Sequence, residues 1–218
     1  MASPSPSPSP SIKAYLTGYN VLNMLLWTVV LLRTLTAVVT TPGSTHAAVG
    51  SFTKWVQSLI VLDVVHVLVG LVRTSLPTVV MQAYSRIFLV WGIAGLFAEP
   101  VQSAFYPVML VSWAVAEIVR YAFYVAAATT ATPPRWLVWA RYNFFWVLYV
   151  TGAGSEWICM WLSLGELKQW KESAAGVGVG AVMYWVVVAM LVLWPMGAFL
   201  LSITSHHIIT WNKKGGLT

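Results

Sequence analysis

Charge is scarce in this 218-residue chain: only 8% of residues are Asp, Glu, Lys or Arg, against 59% hydrophobic. A soluble domain devotes about a quarter of its residues to charge, so too little charge is present to cover a water-facing surface. Cysteine is nearly absent. Cys159 stands alone, which excludes an internal disulfide and any multi-cysteine metal site. Period-2 alternation is missing, so the apolar residues do not read as barrel strands. Basic stripes with interleaved aromatics are also missing, which excludes nucleic acid as a partner. The N-terminal MASPSPSPSPS lacks a basic start leading into an apolar core, so it does not read as a secretory signal.

What is present is a set of long apolar runs. A membrane-crossing helix needs about 20 mostly apolar residues. Six runs qualify by eye: 15–38, 55–72, 78–98, 104–128, 136–163 and 175–203. The predicted fold is all-α, a polytopic bundle of six transmembrane helices. Residues 1–12 are expected to be a disordered Ser/Pro tail, 13–211 the membrane domain, and 212–218 a short basic tail. The net charge of +6 is then a topology signal. With six crossings, one side holds Lys13, Arg73, Arg135, Arg141, Lys213 and Lys214, with Arg86 nearby. The other holds Lys54, Lys168 and Lys171, with Arg33 nearby and Glu166 and Glu172 among them. The bias predicts both termini in the cytosol.

Six acidic residues exist, and three of them, Asp63, Glu117 and Glu156, fall inside apolar runs. Burying an ionisable group in a bilayer costs about 2.5–3.5 kcal/mol on insertion scales, so each should face the bundle interior and find a partner. His66 follows Asp63 by three residues, on the same helical face. The two could form a structural hydrogen-bonded pair, or a carboxylate orienting a catalytic imidazole. Arg120 follows Glu117 at the same spacing and predicts a structural ion pair. Glu156 differs, because the nearest base on its own helix is Arg141, about four turns away. A carboxyl with no cation on its helix is suited to exchange protons. Tyr149 lies seven residues earlier on the same face, a rise of about 10 Å on a continuous helix. The intervening VTGAGS offers two readings. Gly152 and Gly154 could break the helix beside a cavity, or they could form a small-residue packing face.

Several familiar motifs fail. His66 to Thr74, HVLVGLVRT, has the skeleton of a tyrosine-phosphatase loop, but Val67 occupies the place of the nucleophilic cysteine. Histidine boxes for a di-iron enzyme are missing, and His206 and His207 stand alone. GAGSE lacks the Gly-x-Ser-Gly of a rhomboid-type serine protease.

Four segments converge on one family. YLTGYNVLNMLLW (15–27), LDVVHVLVGLVRTSLPTVVMQAYSRIFLVWGI (62–93), WAVAEIVRYAFY (113–124) and RYNFFWVLYVTGAGSEW (141–157) resemble, in order, the membrane (3R)-3-hydroxyacyl-CoA dehydratases, also called the protein-tyrosine-phosphatase-like family. WPMG (194–197) is less diagnostic. The family's catalytic pair sits in a motif like Leu-Tyr-Pro-x-Gly-x-x-Ser-Glu, which maps onto Tyr149 and Glu156. Val150 replaces the proline, so any kink must rest on Gly152 and Gly154.

The resemblance implies dehydration of a (3R)-3-hydroxyacyl-CoA to the trans-2-enoyl-CoA, the third step of long- and very-long-chain fatty-acid elongation at the endoplasmic reticulum membrane. It implies Glu156 as base and Tyr149 as proton donor, or the reverse. Asp63, His66, Glu117, Arg120, Arg141, Gly152 and Gly154 are then supporting residues. No metal or other cofactor is implied, since the substrate carries coenzyme A. The expected partners are the acyl-CoA, the lipid bilayer and the condensing enzyme, ketoacyl reductase and enoyl reductase of the cycle. The rival expectation is a catalytically silent six-span scaffold or a small transporter.

Overall fold

The computed structural model describes residues 9–130, 132–173 and 178–193, and among these every regular element is helical. The described helices are α1 (Pro10–Thr40), α2 (Thr45–Ser58), α3 (Ile60–Leu68), α4 (Leu76–Ile87), α5 (Ala94–Leu96), α6 (Ala98–Gln102), α7 (Phe105–Thr129), α8 (Arg135–Glu172) and α9 (Val179–Leu193), with a π-helical segment, Phe88–Ile93, between α4 and α5. His206, His207, WPMG, Lys213, Lys214 and the 212–218 tail lie outside the described residues.

Four stretches are both long and apolar enough to cross a membrane: Pro10–Thr40, Thr45–Leu68, Leu76–Leu96 and Phe105–Thr129. They match the first four apolar runs. The fifth run falls in α8, which has length to spare at 38 residues. Arg135, Arg141, Glu156, Glu166 and Lys168, together with its glycines and hydroxyls, leave α8 more polar than those four. The sixth run is described only as the 15-residue Val179–Leu193.

The chain divides into two compact units, Met1–Cys159 and Met160–Thr218. In the first, α1 lies along α7 in an extensive helix contact. α1 starts at Pro10, three residues before the expected start of the membrane domain. Ser9 caps it by accepting from the Ile12 N–H at 3.4 Å, and proline fits the first turn because its missing donor is one the helix cannot use. Its buried stripe is Tyr19, Asn23, Trp27, Val30, Thr34 and Ala37, spaced by three and four residues. The opposite face carries Leu22, Leu25, Val29 and Leu32, all exposed. A helix that is apolar outward and mixed inward has lipid, not water, as its surroundings.

α2 and α3 form one candidate crossing with a slip at Leu59, and α4, the π segment and α5 form another. α3 ends at Gly70, which has φ +75°. The Gly70 N–H donates to the Val67 carbonyl at 3.1 Å and the Leu71 N–H to the His66 carbonyl at 2.8 Å, the paired bonds of a Schellman terminus. The glycine of the phosphatase-like loop therefore serves to end a helix. In the second unit, the last turns of α8 meet α9 where Gly180 sits close to the Lys171 backbone. A Cβ there would stand 3.0 Å from the Lys171 Cα. The Lys171 ammonium lies over the rings of Tyr184 and Trp185, 4.7 and 5.6 Å from their centroids.

Candidate active site

α8 is unbroken through VTGAGS. Of the two readings of Gly152 and Gly154, the break does not occur, and α7 packs directly against this stretch at Gly152. The two glycines differ. Gly152 is buried, and a Cβ there would meet the Ser112 Cβ at 3.4 Å and Trp113 Cδ1 at 3.8 Å. Gly154 is exposed, with nothing within 4 Å of the corresponding point. Gly152 thus admits α7, and Gly154 packs on nothing. On the intact helix Tyr149, Gly152 and Glu156 share one face, with Tyr149 and Glu156 about 10 Å apart along the axis. The glycine between them is the point at which Ser112 and Trp113 of α7 close onto α8. Ser112 Oγ and Thr151 Oγ1 are 2.9 Å apart across the same seam.

Glu156 is buried at 6% exposure, and its Oε1 accepts a 2.6 Å hydrogen bond from the indole N–H of Trp113. Among the described residues no other side chain is hydrogen-bonded to it. Tyr149 is half-buried. The cation missing from the helix of Glu156 comes from α4 by way of that indole. The Arg86 guanidinium carbon stands 4.7 Å from the Trp113 ring centroid, and Arg86 Nη1 pairs with Glu117 Oε1 at 3.0 Å.

From Glu117 the polar contacts continue along α7. Arg120 donates to Glu117 Oε2 through Nε at 2.8 Å and Nη2 at 2.6 Å, and through Nη2 to Asp63 Oδ2 at 3.1 Å. Asp63 also accepts from the Tyr19 hydroxyl on Oδ1 at 2.8 Å and from Tyr121 on Oδ2 at 3.2 Å. His66 is buried, with Nε2 3.0 Å from the Tyr15 hydroxyl. Asp63 and His66 therefore take different partners, although their spacing suggested each other. The i,i+3 geometry aligns them roughly, but Tyr19 of α1 engages Asp63 and Tyr15 engages His66. Arg141 lies over Phe123 and Tyr124 of α7, at 4.2 and 5.1 Å, and its buried Nη1 has no hydrogen-bond partner among the described residues.

Two contacts central to this arrangement escape a single-helix reading of the sequence. Trp113 carries no charge to draw notice. Arg86 does, since it lies inside the third apolar run as surely as Asp63 lies in the second, and that signal suffices to mark it as an interior residue. Among the described residues no three His, Cys, Asp or Glu side chains come together as a metal site.

The arrangement joins a buried carboxyl, held by a donor-only indole, to a phenol two turns away on the same face. Both are residue types that general acid–base chemistry uses.

Comparison with known proteins points to the same chemistry. The family model described as protein tyrosine phosphatase-like protein, PTPLA, matches residues 57–210. The very-long-chain (3R)-3-hydroxyacyl-CoA dehydratase hpo-8 of Caenorhabditis elegans is 34% identical over 184 residues, which cover 82% of this chain and 84% of the relative. A probable very-long-chain (3R)-3-hydroxyacyl-CoA dehydratase of Schizosaccharomyces pombe is 39% identical over 147 residues, 66% of this chain and 70% of the relative. The dehydratase PASTICCINO 2B of Oryza sativa subsp. japonica is 34% identical over 157 residues, 72% and 71% respectively. No solved structure matches the chain. The extent of the family match and these identities over most of the chain make this protein a member of the protein tyrosine phosphatase-like (PTPLA) family.

Proposed function

We propose that this chain removes water from very-long-chain (3R)-3-hydroxyacyl-CoA, giving the trans-2-enoyl-CoA of the fatty-acid elongation cycle. The observation that carries the reading is the buried Glu156 carboxyl, held by Trp113 on the same α8 face as Tyr149. The named activities of its relatives support it.

In the proposed step Glu156 takes the proton from C2, beside the thioester carbonyl. The electron pair of that C–H bond forms the C2=C3 double bond as the C3–O bond breaks. The Tyr149 hydroxyl gives its proton to the departing oxygen, which leaves as water. A hydroxyacyl chain reaching between Tyr149 and Glu156 presents C2 to one residue and the C3 hydroxyl to the other. Glu156 ends the step protonated and Tyr149 deprotonated, so one proton must pass between them before the next turnover. Each group's general acid–base work is worth about 10²- to 10⁴-fold in rate. The substrate supplies its own coenzyme A, and no other cofactor enters the step.

The same reading extends to the membrane. It has six crossings, with α8 as the fifth and the 175–203 run as the sixth, both termini in the cytosol, and residence in the endoplasmic reticulum beside the other enzymes of the cycle. Tyr149 then lies about 20 Å along α8 from Trp136, and Glu156 about 10 Å deeper, so the CoA arm enters from the cytosolic side. The test is incubation of the purified protein with (3R)-3-hydroxyacyl-CoA and mass spectrometry of the products. Enoyl-CoA formed at a rate proportional to enzyme is the expected result. Unchanged substrate with well-folded protein would favour a silent scaffold.

A further inference from the structure

We infer that Trp113 is the positioning residue of the reaction: its indole N–H fixes the Glu156 carboxyl, and Arg86 clamps the indole from behind. The inference rests on the assignment of Glu156 as base. A carboxylate side chain has three torsions, and a base must present one oxygen to one proton of the substrate. The 2.6 Å bond to Nε1 removes that freedom by engaging Oε1, so the remaining oxygen points in a set direction. Trp113 is itself immobile, at 2% exposure. One face of its ring lies under the Arg86 guanidinium at 4.7 Å. Arg86 is tied to Glu117, one turn further along the same helix as Trp113. The ring, the guanidinium and the carboxylate thus close a loop between α4 and α7, and the loop fixes the donor before any substrate binds. Gly152 of α8 packs against Trp113 Cδ1, so the helix that carries Glu156 is registered on the same ring.

The roles of the two groups are separable. Trp113 exchanges no proton in the step, since its N–H is a donor only. Its effect therefore reaches the reaction solely through Glu156. A charge-assisted hydrogen bond of this kind corresponds to about 10- to 100-fold in rate when lost, and misplacement of a reacting group by about 1 Å reaches the upper end.

The test is a double-mutant cycle on the purified full chain, with kcat, KM and the yield of folded protein measured for Trp113→Phe, Glu156→Gln and the double variant. Phenylalanine keeps an aromatic face for Arg86 but removes the N–H together with part of the buried ring volume, which is why folded yield is measured beside kcat. Trp113→Phe should lower kcat about 10- to 100-fold with KM within about twofold. In the Glu156→Gln background, read over long incubations, the same change should cost no more than about twofold. Wild-type kcat in Trp113→Phe, or an equal loss in both backgrounds, would overturn the inference. Should Glu156→Gln lose turnover while Trp113→Phe does not, only the positioning role fails. Wild-type turnover by Glu156→Gln overturns the base assignment and this inference with it. If Trp113→Phe does not accumulate as folded protein, Arg86→Lys decides. Lysine keeps the charge for Glu117 but has no planar face for the indole. A several-fold loss of kcat that vanishes in the Glu156→Gln background is expected, and a loss independent of Glu156 would overturn the clamp.

Discussion

Replacing Glu117 by alanine tests whether the ion network holds the bundle together. Glu117 is 3% exposed and sits between two guanidiniums. Arg120 would keep Asp63 at 3.1 Å, and its side chain is 27% exposed, so water softens its loss. Arg86 is 12% exposed, and among the described residues Glu117 is its only carboxylate. Alanine would leave it a buried cation over a tryptophan face. Removing one partner of a buried pair costs about 3–5 kcal/mol, because the surviving charge is left uncompensated. Glutamine keeps a carbonyl acceptor and the side-chain volume, so it should cost about half as much. Asp63→Asn should cost least, about 1 kcal/mol, since Arg120 retains Glu117, the amide oxygen still accepts from one tyrosine hydroxyl and its NH2 can donate to the other. At about 1.4 kcal/mol per tenfold, the alanine variant loses about two decades or more in its folded-to-unfolded ratio. The assay is thermal unfolding of the purified proteins in detergent, with the fraction of monodisperse protein recorded after each temperature. The expected order of loss is Glu117→Ala, then Glu117→Gln, then Asp63→Asn. A Glu117→Ala protein as stable as Asp63→Asn would refute the claim that Arg86 depends on this carboxylate.

Three further outcomes are expected. Gly70→Val should destabilise by about 1–2 kcal/mol, because φ +75° in the Schellman turn excludes a β-branched residue, and Gly154→Val should be milder because its φ is helical; thermal unfolding compares them. Gly154→Ala should leave stability unchanged or raise it by up to about 1 kcal/mol, whereas Gly152→Leu should push α7 from α8 and abolish folded protein, since even a Cβ there is already 3.4 Å from Ser112. Glycosylation acceptors placed at either terminus should remain unmodified and one near Thr41 should be modified, and a modified C-terminus would refute either the even number of crossings or their orientation.

The sequence makes the helices legible and most of their cross-helix partners illegible. Apolar runs in 15–38 and 104–128 report α1 and α7 because lipid rewards apolar residues on every outward face. The same uniformity hides which way each helix turns. Spacing of three residues aligns Glu117 with Arg120, which lie on one helix and pair there. It aligns Asp63 with His66 equally well, yet the tyrosines of α1 take both. Trp113 reaches Glu156 only because Gly152 lets α7 and α8 touch, a fact of packing that no single helix encodes. The slip at Leu59 and the π segment after Ile87 carry no proline or glycine at their starts, so no local signal announces them. VTGAGS reads equally as a break or a packing face. Contact with Ser112 decides for packing at Gly152 alone.

The central claim is that Glu156 and Tyr149 carry the two proton transfers of a dehydration. Its most direct test is the rate of enoyl-CoA formation per folded molecule for Glu156→Gln and Tyr149→Phe, measured by mass spectrometry on purified protein with (3R)-3-hydroxyacyl-CoA. Both changes are nearly isosteric. The account predicts turnover lower by about 10²- to 10⁴-fold in each, with yield and substrate binding little changed, and a double variant that falls well short of the product of the two losses. Poorly folded Glu156→Gln whose surviving fraction dehydrates at the wild-type rate would contradict it.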